Sequence, residues 1–175
     1  MAKKRINGSR KGGKAERDVS RDLSLWWSNG ESDDFFWRSA GSGGRATNRA
    51  KKGKSTMNAC GDLRAECSEA QKLLDLITIE IKEGYGDACV ADIWEKKTKG
   101  GFHAFIRQAR EAASRAGTIY YAVIHKRNYC QRIIYIGSFR DSQQHYVSSL
   151  EDFLTPANRD YWLRQWEENF AEKNS

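Results

Sequence analysis

The apolar positions of this chain follow two rhythms, one helical and one alternating. From Lys14 to Ser28, Ala15, Val19, Leu23, Trp26 and Trp27 recur at helical spacing, and "SNG" at 28–30 places a glycine just beyond the end. "FFWRS" (35–39) is a short aromatic strand, and 61–67 and 74–83 predict two further strands joined by a turn near "SEAQK". Residues 84–100 have no period. Phe102, Phe105, Ile106, Ala109, Ala113 and Ala116 mark a second helix closed by Gly117. "TIYYAVIHK" (118–126) and "RIIYI" (132–136) predict a hairpin around "RNYCQ", and Tyr161, Trp162, Trp166 and Phe170 a last, aromatic helix. The order α-β-β-β-α-β-β with a helical tail implies an α/β fold, a mixed central sheet flanked by helices.

Composition narrows this picture. The 175 residues suit one domain, and no apolar run reaches the roughly 20 residues of a membrane span, so no membrane partner is expected. The basic start, "MAKKRINGSRKGGK", has no apolar stretch behind it and does not resemble a signal peptide. Cysteines at 60, 67, 89 and 130 include no C-x-x-C pair, and three histidines are scattered, which speaks for reduced thiols rather than zinc or disulfides. A cytoplasmic protein is expected, nucleoid-associated or in a phage-infected host cell.

Charge is unevenly placed. Residues 1–60 carry 14 Lys/Arg against 6 Asp/Glu, whereas 61–175 carry 16 against 17. The asymmetry favours a polyanionic partner, nucleic acid first. Residues 1–13 form a basic arm, 14–140 a core domain and 141–175 an acidic C-terminal helical extension. Within the core, the stretch 40–60 is Gly-rich, aperiodic and basic, with Arg45, Arg49, Lys51, Lys52 and Lys54, which suggests a functional or ligand-ordered loop.

The candidate chemistry sits in "LDLITIEIKEG". Strand alternation puts Thr78, Glu80 and Lys82 on one face and Ile77, Ile79 and Ile81 on the other. Folding 61–67 back as an antiparallel hairpin centred on Gln71 sets Asp62 opposite Glu80 and Arg64 opposite Thr78, with all aliphatic residues on the second face; a one-residue slip would bury the charges. Two carboxylates at that distance repel unless a proton or a metal ion lies between them. Oxygen ligands suit Mg²⁺, with Mn²⁺ as a possible substitute, and the Ile81 carbonyl is a further neutral ligand. Lys82, about 6–7 Å along the strand from Glu80, could hold a water or stabilise charge on a phosphate. The plain alternative is a surface ion pair on an edge strand.

At Asp62…Glu80-Ile81-Lys82 the chain resembles the PD-(D/E)xK nuclease superfamily. "KKRINGSRKGGKAERDVSRDL" (3–23) followed by "FFWRSAGSGG" (35–44) resembles the archaeal-type Holliday junction resolvase family. The likeness covers residues 3–83 well and 101–136 in element order only. It implies a restriction-endonuclease-like core, with Asp62, Glu80, Lys82, Glu16 and Ser42 as catalytic residues and Asp62, Glu80, the Ile81 carbonyl and Glu16 around the metal. Glu16 has a second explanation as a first-turn acid complementing the helix dipole. Lys11, Lys14, Arg17 and Arg38, with the five basic residues of the loop, are the expected DNA contacts. Gln108 either faces solvent or lies near the metal, as a glutamine does in some related nucleases. Trp26, Trp27, Trp162 and Trp166 either pack in the core or stack on bases. Gly61 departs from the proline that usually precedes the first Asp of this family.

The function so implied is a Mg²⁺-dependent endonuclease that cuts branched DNA, four-way junctions above all, by metal-activated water, leaving 5′-phosphates. Two symmetric cuts call for a homodimer. Other nucleases of the superfamily (phage, repair or restriction-like), a non-catalytic DNA-binding protein, and RNA as substrate are the alternatives.

Overall fold

The computed structural model describes residues 8–39, 61–95, 101–141 and 144–170. Helix α1 (Gly8–Trp27) begins about a turn and a half earlier than its apolar stripe. Val19 and Leu23 on that stripe are fully buried. Strands β1 (Phe36–Arg38) and β2 (Leu63–Ala65) pair antiparallel as a two-stranded sheet. Ser24 fastens β1 to α1: its hydroxyl accepts from the Phe36 amide at 2.8 Å and donates to the Ser20 carbonyl at 2.8 Å.

Helix α2 (Ser68–Leu76) runs directly into strand β3 (Ile77–Glu83). A 3₁₀ turn at Val90–Ile93 and helix α3 (Gly101–Ala116) lead to strand β4 (Tyr120–Lys126). Strands β5 (Ile133–Ser138) and β6 (His145–Ser149), the short helix α4 (Leu150–Phe153) and helix α5 (Pro156–Phe170) complete the described chain. The main sheet has the order β3-β4-β5-β6; β3 and β4 are parallel, linked through α3, and the remaining pairs are antiparallel. This is the mixed α/β layout, with flanking helices and a C-terminal helix, of a restriction-endonuclease-like core.

Both faces of the sheet are covered. Ile77, Ile79, Ile81, Ala122, Ile124, Ile134 and Ile136 share one apolar cluster with α1, α2 and Trp162 of α5. Tyr121, Val123 and Tyr135 on the other face pack with Phe102, Phe105, Ala109 and Ala113 of α3. Each large aliphatic side chain taken from water there contributes about 1.5–3 kcal/mol. The tryptophans serve the core: the indole N–H of Trp26 donates to the Thr155 carbonyl and that of Trp27 to the Glu69 carbonyl, each at 2.8 Å, and that of Trp166 to Asp75 Oδ2 at 3.1 Å. Among the described residues no helix is long and apolar enough to cross a membrane.

Two expectations change. The hairpin centred on Gln71 does not form: residues 68–76 are helical, with Ala70, Leu73 and Leu76 buried at i, i+3 and i+6, and β2 pairs with β1 instead. Helical burial of three apolar residues, together with Trp27 docking on the Glu69 carbonyl, outweighs a two-strand ribbon that packs only one face. The segment read as a helical tail opens with β6, whose residues are half-exposed and pair with β5, so it completes the main sheet before turning helical. The hairpin of β4 and β5 forms as its β-rich pattern predicts.

Candidate active site

Without a β2–β3 hairpin, Asp62 still reaches β3, through its own backbone. Its amide donates to the Ile79 carbonyl at 2.9 Å, and its carbonyl accepts from the Ser39 amide at 2.8 Å. Gly61 makes this approach possible. Its φ is +87°, and a Cβ there would lie 2.6 Å from the Ile79 carbonyl oxygen. The ring of a proline fixes φ near −65°, so the proline usual in the resembling family does not fit this backbone.

The carboxylate of Asp62 then folds over the strand edge, and its Oδ2 accepts from the Ile81 amide at 2.7 Å. Because the Ile79 carbonyl and the Ile81 amide both face residue 62, the Ile81 carbonyl leaves β3 on that same edge. Lys82 Nζ lies 2.7 Å from Glu80 Oε2 and 4.0 Å from Asp62 Oδ2. Gln108 on α3 donates to the same Glu80 oxygen at 2.8 Å. Asp62 and Glu80 are only 6% and 5% exposed, so these charges are held out of water, not displayed on a surface.

That burial sets the electrostatics. Desolvation, reinforced by the charge of Glu80, pushes the Asp62 carboxyl from 3.8 up to about 7, against the opposing pull of Lys82 and the Ile81 amide. Burial on its own would lower the Lys82 pKa, but the carboxylates of Glu80 and Asp62 outweigh it and hold the ammonium charged. Two buried acids sharing one amine form a site short of positive charge. The donors, carboxylates with a backbone carbonyl on the same edge and neither thiolate nor imidazole, suit a hard divalent ion. Among the described residues no group of three or more His, Cys, Asp and Glu gathers to hold a metal.

Glu16 stands one step back. Its Oε2 lies 3.1 Å from Arg38 Nε, and its charge adds the smallest of the contributions that raise the Asp62 pKa. Arg38 and Arg17 converge over the bare backbone of Gly13, where a Cβ would lie 2.9 Å from Arg38 Nη1 and 3.8 Å from Arg17 Nη1. Lys14 is exposed on α1. Lys11 belongs to the same helix, with its side chain outside the described residues. Ser42, Arg45, Arg49, Lys51, Lys52 and Lys54 also lie outside the described residues.

Tyr85 is a neighbour that sequence patterns do not reveal. It follows the end of β3, is 53% exposed, and rests its ring edge-on against Phe105 of α3, centroids 5.0 Å apart. A cavity of about 570 Å³ lined by Trp26, Arg132 and Leu150 lies elsewhere and includes none of Asp62, Glu80 and Lys82.

A family model described as "Phage putative PDDEXK endonuclease" matches residues 7–165. No curated protein and no solved structure matches the chain. The match spans α1, both acids, Lys82, the whole main sheet and most of α5, and the chain belongs to this phage PDDEXK endonuclease family.

Proposed function

We propose that the protein is a divalent-metal-dependent endodeoxyribonuclease whose substrate is branched DNA, four-way junctions first. The observation that carries this reading is the buried trio itself: Asp62 and Glu80 meet at one strand edge with Lys82 Nζ within 4.0 Å of both. Asp62, Glu80 and the Ile81 carbonyl would hold the ion. Mg²⁺, or Mn²⁺ in its place, would lower the pKa of a water and neutralise charge on the phosphate.

The remaining groups position and polarise. Lys82 stays protonated and stabilises negative charge growing on the scissile phosphate. Gln108 fixes the rotamer of Glu80 and leaves that carboxylate's other oxygen to the site. Glu16 orients Arg38, which with Arg17, Lys14, Lys11 and the basic residues of 40–60 grips flanking phosphates; Ser42 would reach the phosphate being cut. Such contacts are sequence-blind and salt-sensitive. In-line attack leaves 5′-phosphate and 3′-hydroxyl ends. The two-fold symmetry of a junction calls for a homodimer acting on DNA in the cytoplasm of the cell.

Membership in a phage endonuclease family favours a second reading, a phage DNA-processing nuclease that cuts other structures. Purified protein with Mg²⁺ is tested on four-way junction, flap, nicked and linear duplex DNA. Paired nicks on the junction that vanish in Asp62→Asn support the resolvase. Equal cutting of linear duplex removes junction selectivity and keeps the nuclease. Binding without any cut leaves only a DNA-binding protein.

A further inference from the structure

Trp26, Trp27 and Trp166 donate their indole N–H groups to oxygens of the core, whereas Trp37 does not. Trp37 is 43% exposed on β1, and its indole N–H has no partner among the described residues. Its side chain lines a recess of about 230 Å³ between α1 and the entry to β1, with Arg17 and Arg21 of the helix on one side and Asp33 and Asp34 on the other. Arg21 Nε lies 3.4 Å from Asp33 Oδ2 and ties the two sides together. Arg17 forms no ion pair among the described residues.

Two elements join this recess to the candidate active site. Arg17 also reaches the backbone of Gly13, where it converges with Arg38, the residue held by Glu16. Trp37 lies opposite Arg64 across the β1–β2 ribbon, so Asp62 is its diagonal neighbour, at a backbone separation of about 7–8 Å. A nucleotide whose phosphate rests on Arg17 and Arg38 therefore has its base within reach of Trp37. The recess is smaller than the about 300–1,000 Å³ of pockets that enclose whole ligands, and it suits one planar ring. Its charges, Arg17 and Arg21 against Asp18, Asp33 and Asp34, do not favour an anion inside. A neutral base is the part of a nucleotide that such walls accept, with an aromatic face for stacking and carboxylates for an exocyclic amine.

We propose that the recess receives one unpaired nucleobase of the DNA, stacked on the Trp37 indole, while Arg17 holds the phosphate of the same nucleotide. The proposal rests on the nuclease reading for the identity of the ligand. A paired base would first have to be extruded from its stack, at a cost that an unpaired base does not carry. Trp37 is thus a specificity-determining contact that favours branched, flapped or bulged DNA over intact duplex. It acts on binding and takes no part in the bond cleavage.

The test measures binding of full-length protein, without divalent ions, to a duplex with one bulged adenine, to the same duplex with an abasic residue in the bulge, and to linear duplex. Wild type should bind the bulged adenine most tightly and lose that gain at the abasic residue. Trp37→Ala should bind the bulged adenine roughly ten- to a hundredfold more weakly and leave linear duplex unchanged. Trp37→Leu, which keeps bulk without an aromatic face, should lose as much and serves in its place if the alanine variant fails to fold. Trp37→Phe should retain most of the affinity. Equal wild-type affinity for adenine and abasic bulges overturns the proposal, as does wild-type binding by both Trp37→Ala and Trp37→Leu, or equal weakening of the folded variants on linear duplex. Because binding is read without turnover, failure of the wild type to cut DNA counts against the nuclease reading, whereas indifference to the bulged base counts against Trp37.

Discussion

Along β3, Ile77, Ile79 and Ile81 share a backbone with Thr78, Glu80 and Lys82 yet meet different surroundings. The three isoleucines enter an apolar layer with α1, α2 and α5. The alternate residues face α3, and their partners grade from structural to chemical. Thr78 pairs with the Thr118 hydroxyl at 3.0 Å, Glu80 receives Gln108 and Lys82, and Lys82 lies 4.0 Å from Asp62. The first face contributes stability through hydrocarbon burial. The second keeps two carboxyl groups buried beside one amine, an arrangement with a folding cost that a proton or a bound cation relieves.

The sharpest way to break this comparison is to substitute each face in turn. Asp62→Asn or Glu80→Gln should lower cleavage by about 10³-fold or more and leave the urea midpoint unchanged or higher, since one buried charge is gone. Ile77→Ala should cost about 2–5 kcal/mol of stability and leave the cleavage rate per folded molecule near wild type. If stability collapsed on both faces, the division would be wrong.

Gly61 couples the faces, because it lets Asp62 reach the strand edge. Gly61→Ala forces a Cβ against the Ile79 carbonyl at an unfavourable φ and should cost about 1–3 kcal/mol. Cleavage should fall with it as Asp62 is displaced. Thermal melts and nicking assays on the same preparation read both.

The raised proton affinity of Asp62 predicts a pH dependence with a definite sign. Folded protein holds this proton up to about 7, unfolded chain only to 3.8, so the contribution to stability is full at low pH and is lost as pH rises between those values. Without divalent ions, wild type should lose more stability than Asp62→Asn from pH 5 to pH 8. Adding Mg²⁺ should raise the melting temperature more at pH 8, where no proton competes for the carboxylate. A shift that is the same at both pH values would remove Asp62 from the ion site.

The smallest effect belongs to the brace. Gln108→Leu removes a donor from Glu80 and should slow cleavage about tenfold, the worth of one hydrogen bond to a charged group. DNA binding should stay at the wild-type level.

Much of the site was legible locally and mis-assembled at longer range. Alternation alone separated Glu80 and Lys82 from the isoleucines, and the charge pair pointed to Asp62 as partner. The connection between them is not legible because "LLDLITI" is aliphatic at five of its seven positions across the change from helix to strand. Its helical half ends at Leu76 and its strand begins at Ile77 with no Gly or Pro between, and Cys67 gives α2 no side-chain cap. Strand β6 was hidden because "HYVSS" is short and lies on the outer edge of the sheet, where burial leaves little pattern.

Sequence by itself determined which residue faces which side within α1, α3 and β3, since helical and strand periods are properties of the backbone. It also placed the excess of basic charge and the acid–acid–amine chemistry. Tertiary structure alone decided that Asp62 reaches β3 through a glycine-permitted backbone contact, that Gln108 donates to Glu80, and that Arg38 is held by Glu16. Those outcomes depend on which surfaces meet once both sides of the sheet are covered, and no spacing along a chain encodes distances between separate segments.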